Sequence, residues 1–284
     1  MASPKPESAG QPLRIQPHGF LIGVSPEWRI VRASANIGEF LGDIGPSPIG
    51  REIAQLLGDS AVHTLRNRLS LLRDPQGSAR AFALQVNGTT RPIDVAMHMV
   101  GGDVVIEGQP STGQESGDPI GLVRALASRL DGKRNHEEML AEGARQLRAL
   151  TGFDRVTLFR WNPDGVAEIA SHCARGELAA APTPVSGSLR MIVNAGSDGV
   201  TIEPDAKPAL FDRCLLRTAT AADHDAIDTA ASLVRISLAA SGINWGVAVC
   251  LNQTPRQLGL ERFASAELFS DLLALRLALL EARA

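Results

Sequence analysis

The side chains that could do chemistry are few and far apart. Arg235 and Ser237 lie two apart in the apolar run Leu233–Ala240, so the period-two alternation of a strand puts Leu233, Arg235, Ser237 and Ala239 on one face. A guanidinium on such a face has two readings: it receives the carboxylate of a ligand, or it reaches a buried aspartate and plugs the space in front of the strand. A buried charge without a counter-ion is too costly to persist. His224, in Ala-Asp-His-Asp-Ala-Ile, is flanked by acids and reads equally as a pocket residue or as an exposed helix residue. His63, His98, His136 and His172 are too dispersed for a metal-site proposal. The three cysteines, Cys173, Cys214 and Cys250, are far apart and form no CxxC pair, so they read as buried small hydrophobes. No nucleophile elbow, phosphate loop, paired-carboxylate motif or kinase signature occurs, and catalysis is not expected.

The elements that must position these groups fit two domains within 284 residues. A net charge of −3 gives no electrostatic reason to expect nucleic acid or an anionic membrane as partner. No apolar run approaches the roughly 20 residues of a membrane span, and a soluble, cytoplasmic protein is expected. Residues 1–14 read as a flexible tail. Strands are expected at Phe20–Val24 and Trp28–Ala33, short helices at Ile37–Leu41, Ile49–Leu57 and Val62–Leu72, and a meander at Ala79–Val86, Pro92–Val100 and Val104–Glu107. That order makes a compact α+β domain with its sheet covered on one face. Polar residues 111–118 form a linker, and Asp118-Pro119 caps a helix with apolar Ile120, Val123, Leu126, Ala127 and Leu130 on one face. A second helix ends at Gly152, and strands follow at Asp154–Trp161 and Val166–Cys173. Leu178 to Leu210 reads as a long irregular excursion. Strands Leu233–Ala240 and Trp245–Leu251 precede a closing helix, Glu261–Arg283, whose leucines cover more than one face and so call for a second surface, cheaply supplied by another subunit.

Ile-Gln-Pro-His-Gly at Ile15–Gly19, followed by Leu-Thr-Gly-Phe-Asp-Arg-Val-Thr-Leu-Phe-Arg-Trp-Asn-Pro-Asp-Gly from Leu150, Leu-Arg-Thr-Ala-Thr-Ala-Ala-Asp-His from Leu216 and Asn-Trp-Gly-Val-Ala-Val-Cys-Leu-Asn from Asn244, resembles the PAS and GAF domains of a bacteriophytochrome. The resemblance covers Ile15 to the end. It implies a PAS domain at 15–110 and a GAF domain at 119–284, with antiparallel sheets flanked by helices. It also implies a figure-of-eight knot in which Leu13 and Ile15 thread a lasso formed by the excursion.

The resemblance further implies a bilin pocket, here altered. Met1–Arg14 holds no cysteine where bacteriophytochromes attach biliverdin, and Asp223 stands where other phytochromes carry the GAF attachment cysteine. The family's Pro-Ala-Ser-Asp-Ile-Pro motif is not recognisable around residues 177–188. Phe159 and Ile227 replace pocket tyrosines, in a chain with no tyrosine at all, and Leu251 and Asn252 stand where the D-ring histidine is expected. Arg190 and Arg217 match the arginines that clamp bilin propionates, His224 matches the histidine near the pyrrole nitrogens, and Arg235 is an added cation beside a retained Ser237. As a rival to that reading, Arg190 and Arg217 are ordinary surface arginines. The expectation is a sensory or regulatory protein without catalytic activity, binding biliverdin or another linear tetrapyrrole weakly and noncovalently if at all. It would act through protein contacts as a homodimer joined by GAF helices. The alternatives are a chromophore-free PAS–GAF interaction module whose cavity has collapsed around Phe159, Ile227 and Leu251, and the photosensory fragment of a larger bacteriophytochrome histidine kinase.

Overall fold

The computed structural model describes residues 13–74, 77–112, 118–176, 184, 189–204, 212–227, 229–240 and 242–282. The first unit runs β1 (Arg14–Ile15), β2 (Phe20–Val24), β3 (Ile30–Ser34), α1 (Ile37–Leu41), α2 (Ala54–Leu57), α3 (Asp59–Ser70), β4 (Ser78–Leu84), β5 (Ile93–Val100) and β6 (Asp103–Pro110). The second runs α4 (Pro119–Ser128), α5 (His136–Thr151), β7 (Arg155–Trp161), β8 (Ala167–Ala174), β9 (Arg190–Ile192), β10 (Val200–Glu203), α6 (Ala221–Ile227), β11 (Ser232–Ala240), β12 (Ile243–Asn252) and α7 (Leu260–Glu281).

The expected elements form, with boundaries set by local backbone chemistry. β3 starts at Ile30, not Trp28, because Trp28 sits at φ 61°, outside strand geometry. β4 ends at Leu84 with an irregular register after Ala81, where Ala83 adopts φ 50° and its N–H donates to Asp94 Oδ1 (3.0 Å). The helix expected from Ile49 begins only at Ala54, since Gly50 takes a left-handed turn at φ 82°. Asp118 caps α4 by accepting from Gly121 N (2.8 Å), and Gly152 ends α5 in the αL conformation. Arg283 at the end of the expected closing helix lies outside the described residues.

The excursion is not wholly irregular. It supplies β9 to the edge of the second sheet, whose order is β8-β7-β12-β11-β9, and β10 to the first, whose order is β1-β10-β3-β2-β6-β5-β4. Thus a strand from residues 200–203 sits between β1 and β3, pairing Thr201 with Arg14 and Ile202 with Ser34. Arg14, expected in the tail, is therefore strand. Residues 1–12, 113–117, 177–183, 185–188 and 205–211 lie outside the described residues.

The first sheet is covered on both faces, not one. Ile22, Ile93, Val95, Met97 and Ile106 pack under α1–α3, while Leu21, Ala96 and Val105 on the opposite face join the core of the second unit. Arg80 on β4 reaches across to Glu267 on α7. In the second sheet, Val156, Leu158, Val234, Ile236, Ala248 and Cys250 face α4, α5 and α7. The other face carries Phe159, Leu233, Val247, Val249 and Leu251 beneath α6. Helices α5 and α7 meet closely at Gly143, where a Cβ would lie 2.5 Å from Leu273 Cδ2.

Candidate ligand site

The turn at Gln16–Gly19 is the hub between the two units. Gln16 is buried, and its Nε2 donates to Met191 O (2.7 Å) and Arg217 O (3.2 Å) while its Oε1 accepts from Val193 N (2.7 Å). Its own N–H donates to Leu216 O (2.7 Å). One side chain thereby satisfies three backbone groups on two limbs of chain, one within the excursion and one just beyond it at Arg217, which would otherwise be costly buried orphans. Ile15 bridges Arg217 on one side and pairs with Val200 on the other, so the N-terminal strand is bracketed by both limbs. Gly19 is required by packing, since a Cβ there would stand 2.6 Å from Gly108 O and 2.7 Å from Leu216 Cδ1. His18 packs in the same turn. Burial lowers its pKa to about 4, so the imidazole is neutral.

The face of the second sheet beneath α6 carries four of the expected pocket residues, Arg190, Arg235, Phe159 and Leu251, with Ile227 on α6 above them. Arg190 is fully buried and Arg235 nearly so, and they oppose one another across β9 and β11. Both turn onto Asp223 of α6. Arg190 Nη2 donates to Asp223 Oδ2 and to Thr218 O (3.2 Å), and Arg235 Nη2 donates to Asp223 Oδ1 (3.2 Å). Thr220 adds its N–H (3.1 Å) and hydroxyl (2.8 Å) to Asp223 Oδ2. Burial alone would raise the Asp223 pKa. The charge and hydrogen bonds of Arg190, with those of Thr220, outweigh it and hold the carboxyl at about 2. The result is a buried Arg–Asp–Arg cluster carrying one net positive charge. Arg190 Nη1 is buried with no hydrogen-bond partner among the described residues, leaving its two N–H groups for an additional acceptor.

Beside this cluster Phe159, Ile227, Leu233 and Leu251 pack into a single buried apolar group with Val247 and Val249. These aromatic and aliphatic side chains thus belong to one cluster and present no hydroxyl.

Four expected residues fall elsewhere. His224 is exposed, because Asp223 occupies the inward position of α6 and the next residue turns about 100° away. Arg217 pairs with the exposed Asp212 (3.6 Å). Ser237 lines a different cavity, of about 540 Å³, between the two units. Asn252 lies on the sheet face opposite Leu251, by strand alternation, and ties turns together: its Oδ1 accepts from Asp154 N (3.2 Å) and its Nδ2 donates to Thr254 O (2.9 Å). Sequence reasoning missed Asp223 as a site residue, though the need of Arg235 for a buried aspartate was the available signal. It missed Gln16 altogether.

Comparison with known proteins supports this architecture. Residues 7–111 match the PAS_2 family, described as a PAS fold. The chain is 23% identical to the phytochrome-like protein Cph1 of Synechocystis over 90% of its own length and 38% of that protein. It superposes on bacteriophytochrome RpBphP3 from R. palustris with a TM-score of 0.79 at 21% identity, covering 96% of this chain and 60% of that one. On the chromophore-binding domain of the same protein the TM-score is 0.78 at 21% identity, with 95% and 96% covered. The chain therefore spans well under half of the Synechocystis relative and nearly all of a solved chromophore-binding domain. Its two sheets, with the β10 strand lent by one unit to the other and the bracketed N-terminal strand, thus have the PAS–GAF fold of a solved bacteriophytochrome chromophore-binding domain.

Proposed function

We propose that the protein is a phytochrome-like sensory or regulatory module without catalytic activity, in which the bilin site is closed by an internal carboxylate. The observation that carries this reading is Asp223, which takes the donors of both Arg190 and Arg235 that would otherwise meet ligand propionates. A bilin would have to displace a buried ion pair and part the Phe159–Ile227–Leu251 group, so biliverdin binds weakly and noncovalently. Cys214 and Cys250 are buried with burial-raised pKa values, Cys250 to about 12, which disfavours thiolate attack on a tetrapyrrole. The second reading, a chromophore-free interaction module, is favoured by the same apolar packing.

Signalling in either case would pass through a second copy of the chain. Leu268, Leu275 and Leu279 on α7 are 44%, 40% and 49% exposed and fall with Leu272 at alternating spacings of four and three, a coiled-coil seam. Among the described residues no helix is long and apolar enough to cross a membrane.

Adding biliverdin to the purified protein tests the proposal by far-red absorbance and by mass under denaturing conditions. The expected result is no mass increase and, at most, a weak absorbance that gel filtration removes, corresponding to a Kd of roughly 10 μM or weaker. A covalent adduct, or a red/far-red reversible spectrum of full intensity, overturns it.

A further inference from the structure

Away from Asp223, three groups that bind metals converge where the two units meet. His98 on β5 and Glu107 on β6 project from the same face of the first sheet, Glu107 opposite Ala96 and His98 two residues further along β5. Cys214 enters from the limb between β10 and α6. All three are buried, and their Nε2 or Nδ1, carboxylate oxygen and Sγ lie within 4.8 Å of one another. We propose that His98, Glu107 and Cys214 bind a divalent first-row transition metal, zinc foremost, with the fourth position open to the inter-unit cavity.

The distances suit it. Zinc bonds of about 2.3 Å to sulfur and about 2.0–2.1 Å to nitrogen put those two atoms about 3.6 Å apart across a tetrahedral ion. Cys214 Sγ and His98 Nε2 stand 4.0 Å apart, a gap that small side-chain rotations close. Each Glu107 oxygen accepts one backbone N–H, from Leu215 (3.1 Å) and Leu216 (2.7 Å), which leaves lone pairs for a metal. Those N–H groups follow Cys214 directly, so the carboxylate also orients the segment that carries the thiol, as an outer shell does around a metal.

Charge argues in the same direction. One carboxylate and one thiolate balance a divalent ion, so the occupied site is neutral in a buried setting where neither anion is favourable alone. Binding would release the Cys214 thiol proton to solvent as the metal–sulfur bond forms. Of the nearby cations, Arg80 pairs with Glu267, Arg217 with Asp212 and Arg190 with Asp223, while Arg213 donates to Met99 O. The cavity is lined by both His98 and Glu107, giving the ion an entry path and room for a water as fourth ligand. An ion here would fasten the excursion to the first sheet.

Cobalt(II) titration of the untagged, chelator-treated chain provides the test. The expected result is one bound equivalent with a thiolate-to-cobalt absorption in the near ultraviolet and intense visible bands of a four-coordinate ion, both abolished by added zinc. Cys214→Ser loses the near-ultraviolet band and Cys173→Ser keeps it. Absence of that band in the folded wild-type chain, or its survival in Cys214→Ser, overturns the proposal. Should Cys214→Ser fail to fold, the wild-type titration still decides, and loss of the visible bands in His98→Asn assigns the nitrogen.

Discussion

Replacing Asp223 with asparagine isolates the charge on which two buried arginines converge. The substitution keeps shape and one acceptor oxygen but removes the anion shared by Arg190 and Arg235, whose side chains are 0% and 6% exposed. Two estimates bracket the cost. Protonating the native carboxyl, held at about 2 against an ordinary value of 3.8, forfeits on the order of 2 kcal/mol. Stripping the anion from a buried pair typically costs about 3–5 kcal/mol, because the cation left behind stays desolvated. The introduced amide also turns an N–H₂ toward guanidinium donors, so the upper range applies. Urea unfolding at pH 7 should therefore show Asp223→Asn less stable by about 3–5 kcal/mol, a large part of the roughly 5–15 kcal/mol of a typical domain. The wild-type contribution has a defined pH window. It is complete above the unfolded-state value near 4 and is lost as pH falls through about 2, whereas the variant has no such step. Adding Arg235→Met to Asp223→Asn should recover part of the loss, since it removes one orphaned cation. A loss below about 1 kcal/mol for Asp223→Asn, or an unchanged acid limb, would refute the argument that this carboxylate neutralises both arginines.

Other outcomes follow from the same geometry. His18, neutral with a pKa lowered to about 4 by burial, must charge on unfolding in acid, so stability is complete above about pH 6.5 and declines by on the order of 3 kcal/mol towards pH 4; His18→Gln should flatten that limb in pH-dependent urea unfolding. Gly246→Ala would drive a Cβ to 1.9 Å from Phe159 O, and thermal unfolding should show a loss of about 3 kcal/mol as β12 separates from β7. A thiol reagent should modify Cys173 readily in the native protein and Cys214 and Cys250 only after denaturation, as counted by mass. Glutamate at both Leu268 and Leu275 should convert a dimer to a monomer in light scattering without loss of helical circular dichroism; an unchanged mass would reject the α7 seam.

Patterns that are local were legible in the sequence, and those made by distant chain segments were not. The meander β4–β6, the cap at Asp118 and the stop at Gly152 each follow from neighbouring residues. Arg235 announced its need for an acidic partner, because a cation on an otherwise apolar strand face demands one. Which acid it finds depends on the phase of α6, and a shift of one residue exchanges exposed His224 for buried Asp223. Gln16 looks like an ordinary turn residue until the excursion folds over it. The histidines were dispersed along the chain, yet His98 comes to lie beside Cys214, and only the packing of one unit on the other makes them neighbours. The apolar character of Phe159 and Ile227 was visible directly, whereas the insertion of β10 between β1 and β3 left no periodic trace in a stretch rich in Gly, Ser and Pro.

That inserted strand bears on how the chain is made. Thr218 Oγ1 donates to Arg14 O across 204 residues, and the first strand finds its partners only in that late segment. At roughly 5–20 residues per second, translation leaves the nascent N-terminus waiting about 10–40 s for them. During that interval the PAS sheet has an open edge at β3, a surface on which a ribosome-associated chaperone or a neighbouring nascent chain can settle before the native strand is synthesised.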